Sequence, residues 1–120
     1  MIVTDPGVAA AGLLEPVLRS LDEADVPHAT FDGVRPNPLE EQVEAGHRAY
    51  RDARARLLLA VGGGSPMDSA KACAAAMAHQ KRKGQVVSVW EWTSGLGEKR
   101  RKVERPLPTL LISSTAASGS

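Results

Sequence analysis

The segment Val61-Gly62-Gly63-Gly64-Ser65-Pro66-Met67-Asp68-Ser69-Ala70-Lys71 carries the residues best suited to chemistry in this chain. Without Cβ atoms, Gly62, Gly63 and Gly64 can take positive φ and let another molecule approach the main chain closely. Ser65 suits a helix N-cap, Pro66 suits the first helical position, where no N–H is needed, and Asp68 brings a negative charge to the positive end of the helix dipole. The apolar run Leu57 to Val61 ahead of them reads as a strand buried on both faces of a parallel sheet. Strand, glycine turn and capped helix together make an anion site, because free N–H groups and the dipole converge on the turn. A pyrophosphate is the natural occupant. The plainer alternative is a tight turn whose glycines serve geometry alone, and the turn matches neither the G-x-G-x-x-G nor the G-x-x-x-x-G-K-[ST] pattern.

The elements that must position this turn alternate in type. A first strand, Met1 to Thr4, turns at Asp5-Pro6-Gly7 into a helix reaching about Ala24, with Leu14, Val17, Leu18 and Leu21 on one face. Asp5 before Pro6 reads as its N-cap. A second strand, His28 to Phe31, leads through Asp32-Gly33 to Asn37, the expected N-cap of a helix with Pro38 at its first position. That helix runs to about Arg54 with Leu39, Val43, His47 and Tyr50 facing inward. The third strand is Leu57 to Val61 and the third helix Ser65 to about Ala78. Residues 79–105 read as a long polar surface connection, and a fourth strand, Leu107 to Ile112, ends in the hydroxyl-rich stretch Ser113 to Ser120. This alternation indicates a single α/β domain: a parallel sheet of about four strands built from right-handed βαβ units, with helices on both faces. Ligands of such sheets sit at the carboxyl ends of the strands, where Asp5, the Asp32 to Asn37 stretch, the glycine turn and the hydroxyl cluster all fall.

The totals narrow the function classes. Fifteen Lys and Arg against 14 Asp and Glu give a formal charge of +1, which argues against a nucleic-acid or membrane footprint. One cysteine, Cys73, excludes an internal disulfide, and its place on an alanine-rich helix face reads as a small buried hydrophobe. No apolar run approaches the ~20 residues needed to span a bilayer, and no signal peptide is visible at the start, so a cytoplasmic location is expected. His28, His47 and His79 lie on different elements without metal-ligand spacing, and no metal is assigned to them. The basic runs at Lys81 and Lys99 read as solvated loop charge.

Four motifs, in order, resemble the iron-containing (group III) alcohol dehydrogenase family. Gly62 to Lys71 resembles its GGGSxxDxAK segment, Val3 to Gly7 its VTDPG turn, Phe31 to Pro38 its FDGVxPNP segment, and Ile112 to Ser120 its IPTTAGTGSE loop. The resemblance implies a Rossmann-like, dehydroquinate synthase-like nucleotide-binding domain. It would place Asp5 near the adenosine ribose, Asn37 near the cofactor, Gly63, Gly64 and Ser65 on the pyrophosphate, and Asp68 beside the nicotinamide half. Ser114, Thr115 and Ser118 would line the cofactor's other side. A carboxylate at Asp5 would accept hydrogen bonds from ribose hydroxyls and repel a 2′-phosphate, which favours NAD over NADP.

Departures from the family pattern matter as well. The last loop has Ser113 for Pro, Ser114 for Thr and Ala117 for Gly, and no Glu follows Ser120. Family members begin with a further strand and helix and continue into a helical domain whose Asp and three His hold a catalytic divalent metal, Fe or Zn. The expectation is therefore one incomplete nucleotide-binding domain over residues 1–120, cut at both ends, inactive on its own. In the complete enzyme it would serve hydride transfer between the nicotinamide cofactor and a small alcohol/aldehyde pair, within a homodimer or higher homo-oligomer. A maleylacetate reductase or glycerol dehydrogenase relative, a non-catalytic nucleotide-binding module and a degraded reading frame are the alternatives. Exposed sheet edges are expected at the Met1 strand or the Leu107 strand.

Overall fold

The computed structural model describes residues 1–35, 40–83 and 107–114. Strands β1 (Ile2–Val3), β2 (Thr30–Phe31), β3 (Leu58–Gly62) and β4 (Thr109–Ser113) form one sheet in the order β2-β1-β3-β4, parallel throughout. Helices α1 (Pro6–Ala10) and α2 (Glu15–Glu23) join β1 to β2, α3 (Glu40–Asp52) precedes β3, and α4 (Gly64–Lys83) follows it. Ile2 stands opposite both Thr30 and Leu59, and Val61 opposite Ile112.

The twofold alternation of strand side chains sorts the core into two layers. Val3, Leu58 and Ala60 face one way and pack with Met67, Ala70 and Ala74 of α4 and with Ala49 and Tyr50 of α3. Ile2, Leu59 and Val61 face the other way, against Val8 and Leu14 and the partly buried Val17, Leu18 and Leu21. Helices thus cover both faces, as the sequence pattern requires. All five residues of β3 are buried, and each large aliphatic side chain so placed contributes roughly 1.5–3 kcal/mol. Partial burial of Tyr50 between α3 and this core layer raises its phenol above the ordinary value. Among the described residues no helix is long and apolar enough to cross a membrane.

Several elements differ from the sequence pattern. The first expected helix is two helices. α1 closes in a Schellman motif, with the Leu13 N–H donating to the Val8 carbonyl, the Gly12 N–H to the Ala9 carbonyl, and Gly12 at φ +72°. Pro16, in the first turn of α2, then suits a new helix start and not the interior of a continuous one. α4 begins at Gly64, so Ser65 lies inside its first turn and is not the cap. It also runs five residues past Ala78, so His79 to Lys83 are helical and not part of a surface connection. Gln, Lys and Arg are good helix formers, so the loss of apolar spacing in the sequence there does not end the helix. Residues 84–106 lie outside the described residues, as does the expected cap at Asn37. The Met1 strand is an inner strand, flanked by β2 and β3; the outer strands are β2 and β4. Leu110, Leu111 and Ile112 of β4 are exposed, in line with the edge expected at the Leu107 strand.

Two further helix ends use the same Schellman closure without glycine. Val26 donates to Leu21 at the end of α2, with Asp25 at φ 52°, and Ala55 donates to Tyr50 at the end of α3, with Arg54 at φ 50°. A left-handed conformation costs a side chain with a Cβ roughly 1–2 kcal/mol. Arg54→Gly is therefore expected to stabilise the chain by about 0.5–1 kcal/mol, after the entropy lost on fixing a glycine. A urea unfolding midpoint that stays put or falls would contradict this account of the α3 terminus.

Candidate functional site

The strand order places a topological switch point between β1 and β3. The connection leaving β1 runs to β2 over one face, and α4, leaving β3, runs to β4 over the other. The carboxyl ends of β1 and β3 consequently open onto a crevice with a helix start on either side, the place where open α/β sheets take their ligands.

Asp5 lies on the β1 side. Its Oδ1 accepts the Val8 N–H at 2.9 Å, capping α1, as Asp before Pro predicts. Its Oδ2 points across the crevice, 3.4 Å from where a Cβ on Gly62 would stand. The cap and a ligand role are thus compatible, one for each carboxylate oxygen.

Gly62 lies on the β3 side. It is the last residue of the strand, at φ +145°, and an added Cβ would come within 2.8 Å of Pro66 Cγ. Only glycine fits there, because both the backbone angle and the space exclude a side chain. Gly63, Gly64 and Ser65 follow, each partly exposed, at the N-terminus of the 20-residue α4. That first turn holds no acidic residue, so its N–H groups and dipole present a positive field to the crevice. The Gly62 carbonyl accepts the Ser114 N–H at 2.9 Å, which brings the start of the hydroxyl stretch beside the glycine turn.

Asp5, the glycine turn and Ser114 are therefore brought together at one edge of the sheet. Asp68, expected beside the nicotinamide half, is not part of this group. It lies beyond the first turn, on an exposed side of α4, with its carboxylate 3.2 Å from Lys71 Nζ. Helical spacing explains this: Met67, Ala70 and Ala74 face the sheet, leaving Asp68 and Lys71 on the solvent side. Asn37, Thr115 and Ser118 lie outside the described residues.

Sequence reasoning passed over Thr4, which is fully buried and donates through Oγ1 to the Val61 carbonyl at 2.8 Å. The signal was a hydroxyl at the last position of an otherwise apolar strand. It also passed over Ser69, one turn beyond Ser65, whose buried Oγ has no hydrogen-bond partner among the described residues.

A cavity of about 640 Å³ opens at the opposite, amino end of the strands, lined by residues including Met1, His28, Arg54 and Leu57. The Met1 amine donates to the Leu57 carbonyl at 2.7 Å there, and burial lowers it below its ordinary value. Among the described residues, none of the candidates lines this cavity. The helix ends near it are the carboxyl ends of α2 and α3, whose carbonyls repel anions, whereas the carboxyl edge of the sheet carries helix N-termini.

The fold and this edge define an open, doubly wound α/β domain with a glycine turn and a helix N-terminus at its switch point. The sequence model for iron-containing alcohol dehydrogenases matches residues 1–120, and the chain belongs to that family. It is 38% identical over 120 residues to choline dehydrogenase of Bacillus subtilis, covering 100% of this chain and 28% of that protein. The crystal structure of a 1,3-propanediol oxidoreductase superposes with a TM-score of 0.79 at 29% identity, covering 98% of this chain and 28% of that one. NADH-dependent butanol dehydrogenase A of Thermotoga maritima superposes with a TM-score of 0.78 at 25% identity, covering 98% and 27%. The chain therefore spans a little over a quarter of the length of these relatives. The family is one of oxidoreductases whose relatives are alcohol dehydrogenases.

Gly62→Ala tests the cradle's steric account. Strain at positive φ and the contact with Pro66 are expected to destabilise the chain by roughly 1–3 kcal/mol in urea unfolding. Wild-type stability in the variant would mean that the turn has room the geometry denies it.

Proposed function

We propose that residues 1–120 form one nucleotide-binding unit that holds NAD across the crevice between β1 and β3. The observation that carries this reading is the meeting of Asp5 Oδ2 and Gly62, 3.4 Å from the glycine's Cβ position, at the switch point of the sheet. The N–H groups of Gly63, Gly64 and Ser65 would take the pyrophosphate, for which the cradle leaves main chain uncovered and positive. Asp5 would accept from the adenosine ribose hydroxyls and, by its charge, disfavour a 2′-phosphate. Ser114 would stand on the far side of the glycine turn, with Asn37, Thr115 and Ser118 completing the cofactor contacts. The NADH dependence carried in the name of the Thermotoga relative supports the choice of cofactor.

When bound, the nicotinamide accepts or gives a hydride, and the reaction it serves is interconversion of a small alcohol with its aldehyde. The relatives named for propanediol and butanol support that substrate class. This chain's share is to bind the dinucleotide and fix its orientation. Among the described residues there is no group of three or more His, Cys, Asp or Glu that could hold a metal ion. The full-length enzyme is proposed to act in the cytoplasm as a homodimer or larger homo-oligomer.

Calorimetric titration of the purified chain with NADH and NADPH tests the reading, with Gly64→Asp as the control that puts a negative charge into the cradle. NADH is expected to bind, NADPH to bind about tenfold more weakly or worse, and the variant to bind neither. A folded wild-type chain that takes up neither dinucleotide would overturn the assignment.

A further inference from the structure

The switch crevice has one link across it that the backbone does not supply. The pairing of β1 with β3 ends at Val3 opposite Ala60. Beyond it, the Thr4 N–H still donates to Phe31 on the β2 side, at 2.9 Å, while on the β3 side the next link is made by a side chain. Thr4 Oγ1 donates to the Val61 carbonyl at 2.8 Å, and both partners are buried. The residues that follow these two partners are Asp5 and Gly62, the two sides of the crevice.

We propose that Thr4 is a positioning residue whose hydroxyl sets the separation of Asp5 from the glycine turn, and through it the discrimination between NADH and NADPH. The inference rests on the reading of this crevice as a dinucleotide site. Asp5 has little freedom of its own, because its Oδ1 is held by the Val8 N–H. The place of Oδ2 is then decided by where the end of β1 lies relative to β3. Discrimination against a 2′-phosphate by a carboxylate depends on a short distance between like charges, since their repulsion falls as they separate.

Removing the hydroxyl without changing the shape would leave the buried Val61 carbonyl without its donor from Thr4. A buried acceptor in that condition is costly enough to draw in water or shift the chain. Either response moves the end of β1 away from β3. The apolar contacts of β1 are untouched, because Ile2 and Val3 carry them.

Thr4→Val removes the hydroxyl at nearly constant shape and keeps a β-branched side chain; Thr4→Ser keeps the hydroxyl. Titration of the wild type and both variants with NADH and NADPH, alongside urea unfolding, decides the matter. Thr4→Val is expected to weaken NADH binding about tenfold and NADPH binding less, so the preference for NADH falls; Thr4→Ser is expected to retain the wild-type preference. A purely structural Thr4 would lower the unfolding midpoint of Thr4→Val and leave the NADH to NADPH ratio unchanged, which overturns the proposal. Should Thr4→Val not fold, Thr4→Ser decides: retention of the ratio supports the role of the hydroxyl, and its loss overturns it. If the wild type binds neither dinucleotide, the dinucleotide reading fails first and the inference falls with it, an outcome distinct from equal discrimination by wild type and Thr4→Val.

Discussion

Parallel pairing of β1 with β3, with β2 on the outer side of β1, is the constraint on which the rest of the structure depends. Two parallel strands cannot be joined by a tight hairpin, so each link between strands needs a crossover that lies on one face or the other. Right-handed crossovers that leave the middle of the sheet in opposite directions must use opposite faces. The two core layers follow directly, with α1 and α2 over Ile2, Leu59 and Val61, and α3 and α4 over Val3, Leu58 and Ala60. The crevice follows as well, because the chain parts to the two faces at the carboxyl ends of β1 and β3 and nowhere else among the described strands. The site is a consequence of strand order before it is a consequence of any side chain.

That origin explains which parts of the molecule were legible in the sequence. The apolar run Leu57 to Val61, of which Leu58 onward is buried and Leu57 is exposed ahead of the strand, and the glycines after it carry a signal that holds regardless of context: continuous apolarity for a strand buried on both faces, then residues free of Cβ where the chain must turn sharply. Asp5 was legible as a cap for a local reason, since Asp before Pro specifies its own hydrogen bond. The break between α1 and α2 was present in Gly12 and Pro16, but the apolar spacing of Leu14, Val17, Leu18 and Leu21 masked it. Periodicity reports which face is buried and not whether the helix is continuous; Leu14 sits in the same core layer as Val8 from a separate helix. Thr4 was illegible because its partner is 57 residues away, and no local rule connects a hydroxyl to a carbonyl on a strand whose neighbour is not yet known.

The outer strand β4 shows the same limit from the other side. Its composition, Leu110, Leu111 and Ile112, reads like that of a buried strand, yet all three are exposed. Register gives the reason for two of them. Leu110 and Ile112 stand opposite Leu59 and Val61, so they extend the face that α1 and α2 cover, one strand further than those helices reach. An apolar sequence specifies that a strand is made to be covered; only the topology says how far the covering elements extend.

The two helices that begin at the crevice differ in how their positive ends are met, and this difference separates cap from cradle. α1 has five residues, and its N-terminus is already served by Asp5, which supplies both a hydrogen bond to Val8 and a full negative charge. α4 has 20 residues and no acid in its first turn, and the acid that follows, Asp68, has its charge countered by Lys71. A longer helix with its first-turn field uncompensated by its own side chains is the stronger attractor for an anion. Asp5 stands across from it with one oxygen spent on α1 and the other turned toward Gly62, so the crevice is positive at the glycine turn and negative at the end of β1. A ligand that satisfies both must carry an anionic group at one point and hydroxyl donors at another. The phosphate and ribose of a nucleotide present those two groups a few bonds apart, and this polarity, more than the glycines alone, supports the proposal of a nucleotide at this edge.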